Sequence, residues 1–216
     1  MRKERTILLE LQYMPPVHYF TKLFSYDRLL LEAQENYSKG SYRNRCHIMG
    51  VNGVQILSIP LRKGKNSQTR IRDVHIAYDE PWNGRHWKSI ESAYGNSPYF
   101  KFYKDDLKKY FVNKRYEYMW DFNFDLLLYF IKTIGIHINV EMTAEYYRKA
   151  PSGVDDWRGK INPKTPIDDP TFKPHYYAQV FEDRHGFVPN LSILDALLCN
   201  GRAARSVIRQ SVVEEG

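Results

Sequence analysis

Thr6-Ile-Leu-Leu-Glu-Leu11 is an apolar run of strand length, and it ends in the turn-forming Met14-Pro15-Pro16. Tyr19, Phe20, Leu23 and Phe24 then follow at helical spacing, and Arg28-Leu-Leu-Leu-Glu32 reads as a second strand. Strand, helix and strand within about thirty residues is close to the minimum for a parallel crossover unit, so this opening commits the chain to an α/β fold. In such a unit ligands bind beyond the carboxyl ends of the strands, which singles out Gln12 and Tyr13 as candidates. Gln12 has a second reading as a hydrogen bond that braces its loop.

A mixed sheet follows from what comes next. Cys46-His-Ile-Met49 and Gln55-Ile-Leu-Ser-Ile59 flank Asn52-Gly53, a hairpin signal, and so an antiparallel hairpin is added to the parallel start. Arg72 to Tyr78 alternates like a strand. Trp82 to Tyr94, Tyr99 to Val112 and Met119 to Ile134 read as covering helices, the last with Trp120, Phe124, Leu127, Leu128 and Ile131 as its apolar stripe. After the helix-stopping Gly135, Ile136 to Met142 is read as a strand. Pro151 to Pro174 reads as a long irregular loop, with a lid and a plain surface excursion as its alternatives. Tyr176 to Phe181 reads as a late strand, and Asn190 caps a last helix beyond which the tail after Val207 frays. At 216 residues one domain, 1–216, is expected.

Chemistry concentrates in Tyr37-Ser-Lys-Gly-Ser-Tyr-Arg-Asn-Arg-Cys-His-Ile48. Arg43 and Arg45 are planar forks suited to carboxylate or phosphate, on one face of an extended chain with Asn44 on the other, and Lys39 adds a charge. A solvated basic edge that blocks strand pairing is the structural alternative. The chain carries 32 Lys and Arg against 25 Asp and Glu, which favours an acidic partner without choosing among them. On a helix, His86, Ile90 and Tyr94 share a face, joining a titratable ring to a phenol; a general acid or base and a braced core histidine are both open for His86. Asp195 is read as a site carboxylate or as an ion-pair partner of the Arg43 and Arg45 region.

Gly40-Ser-Tyr-Arg-Asn-Arg-Cys-His-Ile48, through Asn52-Gly53 to Leu57-Ser-Ile-Pro60, resembles the WbqC-like family, bacterial proteins often encoded among surface-polysaccharide genes. Gln12-Tyr13-Met14-Pro15-Pro16 with Tyr19-Phe20 looks like its opening motif, and His86-Trp87 through Tyr94 to Ser97-Pro98-Tyr99-Phe100 like its middle one. Phe187-Val-Pro-Asn-Leu-Ser-Ile-Leu-Asp195 is similar to its closing motif, so the resemblance runs over nearly the whole chain.

The resemblance implies a polysaccharide context, and the basic centre implies an anionic, phosphate-bearing donor such as a nucleotide-sugar. Together they give a cytoplasmic transferase or modifying enzyme in which Arg43, Arg45 and Lys39 hold phosphate, Gln12 and Asn44 orient the acceptor and His86 moves the proton. The rival is a nucleotide- or glycan-precursor-binding protein without a reaction, so whether the chain is an enzyme stays open. Single-stranded nucleic acid is a third partner, disfavoured because basic residues are interleaved with acids.

The common phosphate-loop, dinucleotide, zinc-protease and hydrolase-elbow motifs are missing, and no cofactor or metal is expected. Cys46 and Cys199 lack metal or redox spacing. Met1 to Thr6 reads as neither secretory signal nor anchor, and no stretch reaches the length of a membrane span.

Overall fold

The computed structural model describes residues 4–64, 66–165 and 168–213. Its centre is a four-stranded parallel sheet of β1 (Thr6–Leu9), β2 (Arg28–Leu31), β5 (Asn139–Met142) and β6 (Val154–Asp156), in the order β5-β2-β1-β6. β1 and β2 are joined through α1 (Val17–Ser25) and pair in register from Thr6 opposite Arg28 to Leu9 opposite Leu31. Ile7, Leu8 and Leu9 are fully buried, as the central strand of a parallel sheet covered on both faces requires.

The antiparallel hairpin joins β3 (Arg45–Gly50) to β4 (Gly53–Ser58), and Gly50 faces Gly53 across the two-residue loop of Val51 and Asn52. Gly53 has φ of 106°, a conformation that only glycine adopts without strain. The covering helices are α2 (Trp82–Tyr94), α3 (Phe100–Lys108) and α4 (Met119–Ile134), followed after β6 by the single turn α5 (Glu182–His185), then α6 (Ile193–Asn200) and α7 (Ala204–Gln210). The mixed α/β architecture with its parallel start, hairpin and covering helices is therefore observed.

Several local expectations give way. Arg72 to Tyr78 is not a strand: a 3-10 turn at Ile71–Asp73 is followed by isolated bridges from His75 to Tyr118 and from Ile76 to Leu61. Tyr176 to Phe181 has no regular structure, and its Tyr177 and Gln179 side chains bond Asp195. The stretch from Pro151 to Pro174 is not irregular throughout, since it contains β6, which pairs with β1 from Thr6 opposite Val154 to Leu8 opposite Asp156. That strand is three residues long and polar, so it carries no apolar signal.

The segment from Tyr99 begins α3 but passes into a π turn at Lys109–Asn113. On α4 the buried stripe is Trp120, Phe122, Leu126, Leu127, Phe130 and Ile131, while Leu128 is exposed. Nor is the tail after Val207 frayed as expected: Val207 and Ile208 are buried on α7 and Val212 bridges Phe172, whereas residues 214–216 and the first three residues lie outside the described part.

Asn190 caps a different helix from the one expected. Ser192 is the cap of α6, its Oγ accepting from the Leu194 N–H, and Asn190 Oδ1 instead accepts the His18 N–H of α1 at 2.9 Å. α1 needs this help because its own capping position is Pro16, which has no side-chain acceptor. The junction is reinforced by Val17 N–H to Leu191 O at 3.0 Å and Ile193 N–H to Pro15 O at 2.8 Å. Asn190 sits at φ 57°, a left-handed conformation that Asn tolerates better than most residues.

Replacing Asn190 with Ala removes the cap and strains the backbone, so it should cost about 2 kcal/mol, against about 1 kcal/mol for Asn190→Gly, which keeps the conformation. Thermal melts of the two variants check this; equal midpoints would remove the left-handed contribution, and unchanged midpoints would remove the cap.

Candidate functional site

The parallel strands all point their carboxyl ends one way, and each delivers a polar residue there: Glu10 after β1, Glu32 after β2, Thr143 after β5 and Asp156 at the end of β6. Two guanidiniums bind them together. Arg43, from the segment before β3, grips Glu35 through Nε at 2.7 Å and Nη2 at 2.6 Å, with its Nη1 4.0 Å from Glu10 Oε1. Arg158, just past β6, forks onto Asp156 through Nε at 3.0 Å and Nη2 at 2.7 Å, and donates Nη1 to Glu32 at 2.7 Å.

The remaining oxygens are also served. Glu10 Oε1 accepts from Gln12 Nε2 at 2.7 Å and Oε2 from the Gly159 N–H at 2.8 Å, while Glu32 Oε1 accepts from Thr143 Oγ1 at 2.8 Å and the Gln34 N–H at 3.0 Å. Side-chain exposure is 1% for Glu10, 0% for Glu32, 5% for Arg43 and 11% for both Glu35 and Arg158, so these are charges taken out of water. A cleft of about 590 Å³ opens onto the network, lined by Glu35, Arg43, Tyr146, Asp156, Arg158 and Lys160 together with Gly159.

The electrostatics differ along the cleft. Burial raises the Glu35 carboxyl above its ordinary range; Arg43 opposes the rise, and Glu10 and Glu32 add to it. At Asp156, half-buried and held by the Arg158 fork, the carboxyl is lowered despite some burial. Burial thus disfavours the charged form at Glu35, whereas the Arg158 fork favours it at Asp156.

The structure gathers only some of the sequence candidates at this place. Gln12 and Arg43 belong to the network, and the Gln12 amide is further tied to Ile161 O at 3.0 Å. Tyr13 and His86 meet each other in the core, the phenol 2.9 Å from His86 Nδ1, with the histidine ring also on the Ser58 backbone and edge-on to Trp82. Tyr94 holds the Met49 N–H and donates to Asp195 Oδ1 at 2.9 Å. Asn44 ties the hairpin by donating to Ile59 O at 3.1 Å. Arg45 stands beside Tyr37 and His47, and Lys39 is exposed, its carbonyl accepting from Lys164.

Asp195 does not pair with Arg43 or Arg45, contrary to the expected ion pair: its oxygens accept from Tyr94, Tyr177 and Gln179, a hydrogen-bonded anchor at 0% exposure. Glu10, Glu32, Glu35, Thr143 and Asp156 were not singled out from sequence. A signal existed for two of them, since Glu10 and Glu32 directly follow apolar strands at the same carboxyl edge that indicated Gln12.

A second ionic group lies on α1. His18 Nε2 is 2.6 Å from Asp169 Oδ2, Lys22 also reaches that carboxylate, and Lys22 Nζ lies 3.7 Å from the Trp157 ring centroid. Burial pushes His18 down to about 4 although Asp169 pulls it upward, and burial likewise pushes His86 down to about 4. Both histidines are therefore neutral in the fold at neutral pH.

A folded pKa below the unfolded one means that the unfolded chain binds more protons between the two values, so stability is full above about 6.5 and is lost as pH falls toward about 4. Asp169, drawn down to about 2 by Lys22, His18 and Thr171 against the effect of burial, adds a further loss only below its ordinary range near 3.8. The expected loss across the upper window is on the order of 2–3 kcal/mol per histidine. Melting curves of wild type and His86→Gln from pH 7 to about 4 test this: the gap between them should narrow as pH falls, and a constant gap would mean that folding leaves the His86 pKa unshifted.

Among the described residues, no helix is long and apolar enough to cross a membrane, and no group of three or more His, Cys, Asp or Glu is arranged to hold a metal ion. Cys46 and Cys199 are free and buried, with burial raising both thiols. No solved structure matches the chain. The uncharacterised protein Rv1507c of Mycobacterium tuberculosis is 21% identical to it, over 95% of this chain and 98% of that protein. The model of the WbqC-like protein family matches residues 12–163, which spans Gln12 and Arg43, both clefted guanidiniums and every strand of the sheet except β1. The chain belongs to the WbqC-like protein family.

Proposed function

We propose that the protein is a transferase or modifying enzyme that acts on a phosphate-bearing activated sugar, such as a nucleotide-sugar, in the crevice at the carboxyl ends of the parallel strands. The observation that supports this reading most directly is the gathering of Glu10, Glu32, Glu35, Asp156, Arg43 and Arg158 around one open cleft. Holding ions out of water costs several kcal/mol each, and apolar residues would stabilise the sheet at least as well, so a ligand is the physical reason to keep them.

In this reading the sugar ring lies beside Tyr146 and Gly159. Arg158 donates three of its five N–H groups within the protein and keeps two for a phosphate, with Lys160 beside it at the mouth. Glu35 takes the acceptor proton, Arg43 keeps it in place, and Gln12 holds Glu10 behind them. The surface-polysaccharide setting rests on the family resemblance alone. Binding of a nucleotide or glycan precursor without chemistry is the second reading, favoured by one observation: among the described residues no histidine lines the cleft, and His86 is neutral in the core.

Glu35→Gln should preserve ligand affinity and lower turnover by roughly 10²–10⁴, whereas Lys160→Ala should weaken binding by roughly 1.5 kcal/mol with little change in melting temperature. Calorimetric titration with a panel of nucleotide-sugars, followed by product analysis, reads both. Undiminished turnover in Glu35→Gln would remove it as the base, and binding with no product from any of the panel would leave the binding reading alone.

A further inference from the structure

We infer that the face formed by α3, the π turn after it and the outer side of α4 docks on a membrane surface rich in anionic phospholipid, with a phosphate headgroup seated in the cavity between these elements. This face is separate from the crevice at the carboxyl ends of the strands and does not depend on what the crevice binds. Phe100 to Tyr116 holds six Lys and Arg against two Asp, so seventeen residues carry four of the chain's seven net positive charges. Lys101, Lys104 and Lys108 are exposed on α3, and they make no ion pair among the described residues. Each basic side chain near an anionic leaflet strengthens attachment, so charge gathered on one face acts together.

A cavity of about 720 Å³ lies within this face, walled by Tyr103, Lys109 and Tyr110 on one side, by Leu128 and Lys132 of α4 on the other, and by Arg202 from just after α6. Its two carboxylates are already taken. Asp106 pairs with Lys109 at 2.7 Å, and Asp125 pairs with Lys114 at 3.0 Å and accepts from the Tyr116 hydroxyl at 2.6 Å. Lys132 and Arg202 make no ion pair among the described residues, so the cavity keeps an excess of two positive charges with its acids satisfied. Burial raises the Tyr103 phenol and Arg202 opposes the rise, which sets the guanidinium close to that wall. A phosphate fits the pair because it takes the fork of an arginine and the point charge of a lysine together.

The apolar side chains point to a membrane as the source of that phosphate. Phe102 is 75% exposed, the most exposed large hydrophobic residue among those described, and it shares a helix face with Asp106, which lines the cavity one turn further on. Its ring lies 6.1 Å from that of Tyr99, which is itself partly exposed and packs on Gly201 beside Arg202. Leu128, in the opposite wall, is exposed as well. A free phosphate would leave Phe102 and Leu128 in water, whereas a bilayer presents hydrocarbon beneath a layer of phosphate and takes both the charge and the apolar surface.

Flotation of the full chain with vesicles of phosphatidylcholine alone, or of phosphatidylcholine mixed with phosphatidylglycerol, tests the inference. Binding to the mixed vesicles only is expected, weakening as salt is raised. Lys132→Ala and Arg202→Ala should each lower the partition about five-fold, and Phe102→Ser about ten-fold. All three positions are exposed, so melting temperatures should stay at the wild-type value. Lys149→Ala, which removes an exposed cation beyond the carboxyl end of β5, should change nothing. No binding to the mixed vesicles, equal binding to both kinds, or a loss from Lys149→Ala as large as that from Lys132→Ala overturns the inference. Calorimetric binding of glycerol 3-phosphate, or of a single-stranded oligonucleotide, by a protein that leaves both kinds of vesicle untouched also overturns it, and assigns the cavity to a soluble phosphate or the face to nucleic acid.

Discussion

Arg43 is the charge on which the crevice depends. Its guanidinium lies between Glu35 and Glu10 at 5% exposure, and its carbonyl accepts from Asn123 Nδ2 at 2.7 Å, so one residue ties the carboxyl end of β1, the segment after β2 and helix α4 together. Removing it would strand two carboxylates out of water, a loss far greater than any energy the pair contributes on its own. Arg158 repeats the arrangement at the same edge by joining β6 to the end of β2. The two guanidiniums turn the open edge of the sheet into a walled cleft.

The rest of the molecule holds that edge still. The Met14-Pro15-Pro16 turn leads into α1, and the segment around Asn190 and Ser192 returns to cap it and to bond Pro15, Val17 and His47. Behind these contacts Trp120, Tyr13, Tyr19, Tyr94, Phe20, Phe111, Phe122 and Phe130 are fully buried, so the abundant aromatic residues serve packing first. Their phenols are not idle: Tyr13 meets His86, Tyr94 meets Asp195, and Tyr19 donates to the Glu10 carbonyl at 3.1 Å. Tyr19 thus joins the sealed phenols to the backbone of the open ionic cleft. The basic stretch around Arg43 supplies the cleft with one guanidinium, while Arg45 and Lys39 remain at the edge of the hairpin.

The parallel start, the hairpin, the main helices and the motifs of the family were legible in the sequence, because each rests on local periodicity or on turn chemistry that a short window contains. The position of Gln12 at a carboxyl edge was legible too, since it follows from strand direction alone. What only the tertiary structure decided is who meets whom. β6 was invisible because a three-residue polar strand exists only by pairing with β1, and Asn190 caps α1 across 172 positions of chain. Arg43 reads in the sequence as a guanidinium without a partner and His86 as one face of a helix, whereas the structure sets Glu35 in the fork of Arg43 and packs His86 against Tyr13. A charged side chain's partner and its exposure to water are properties of the packed molecule, and its chemistry follows from both.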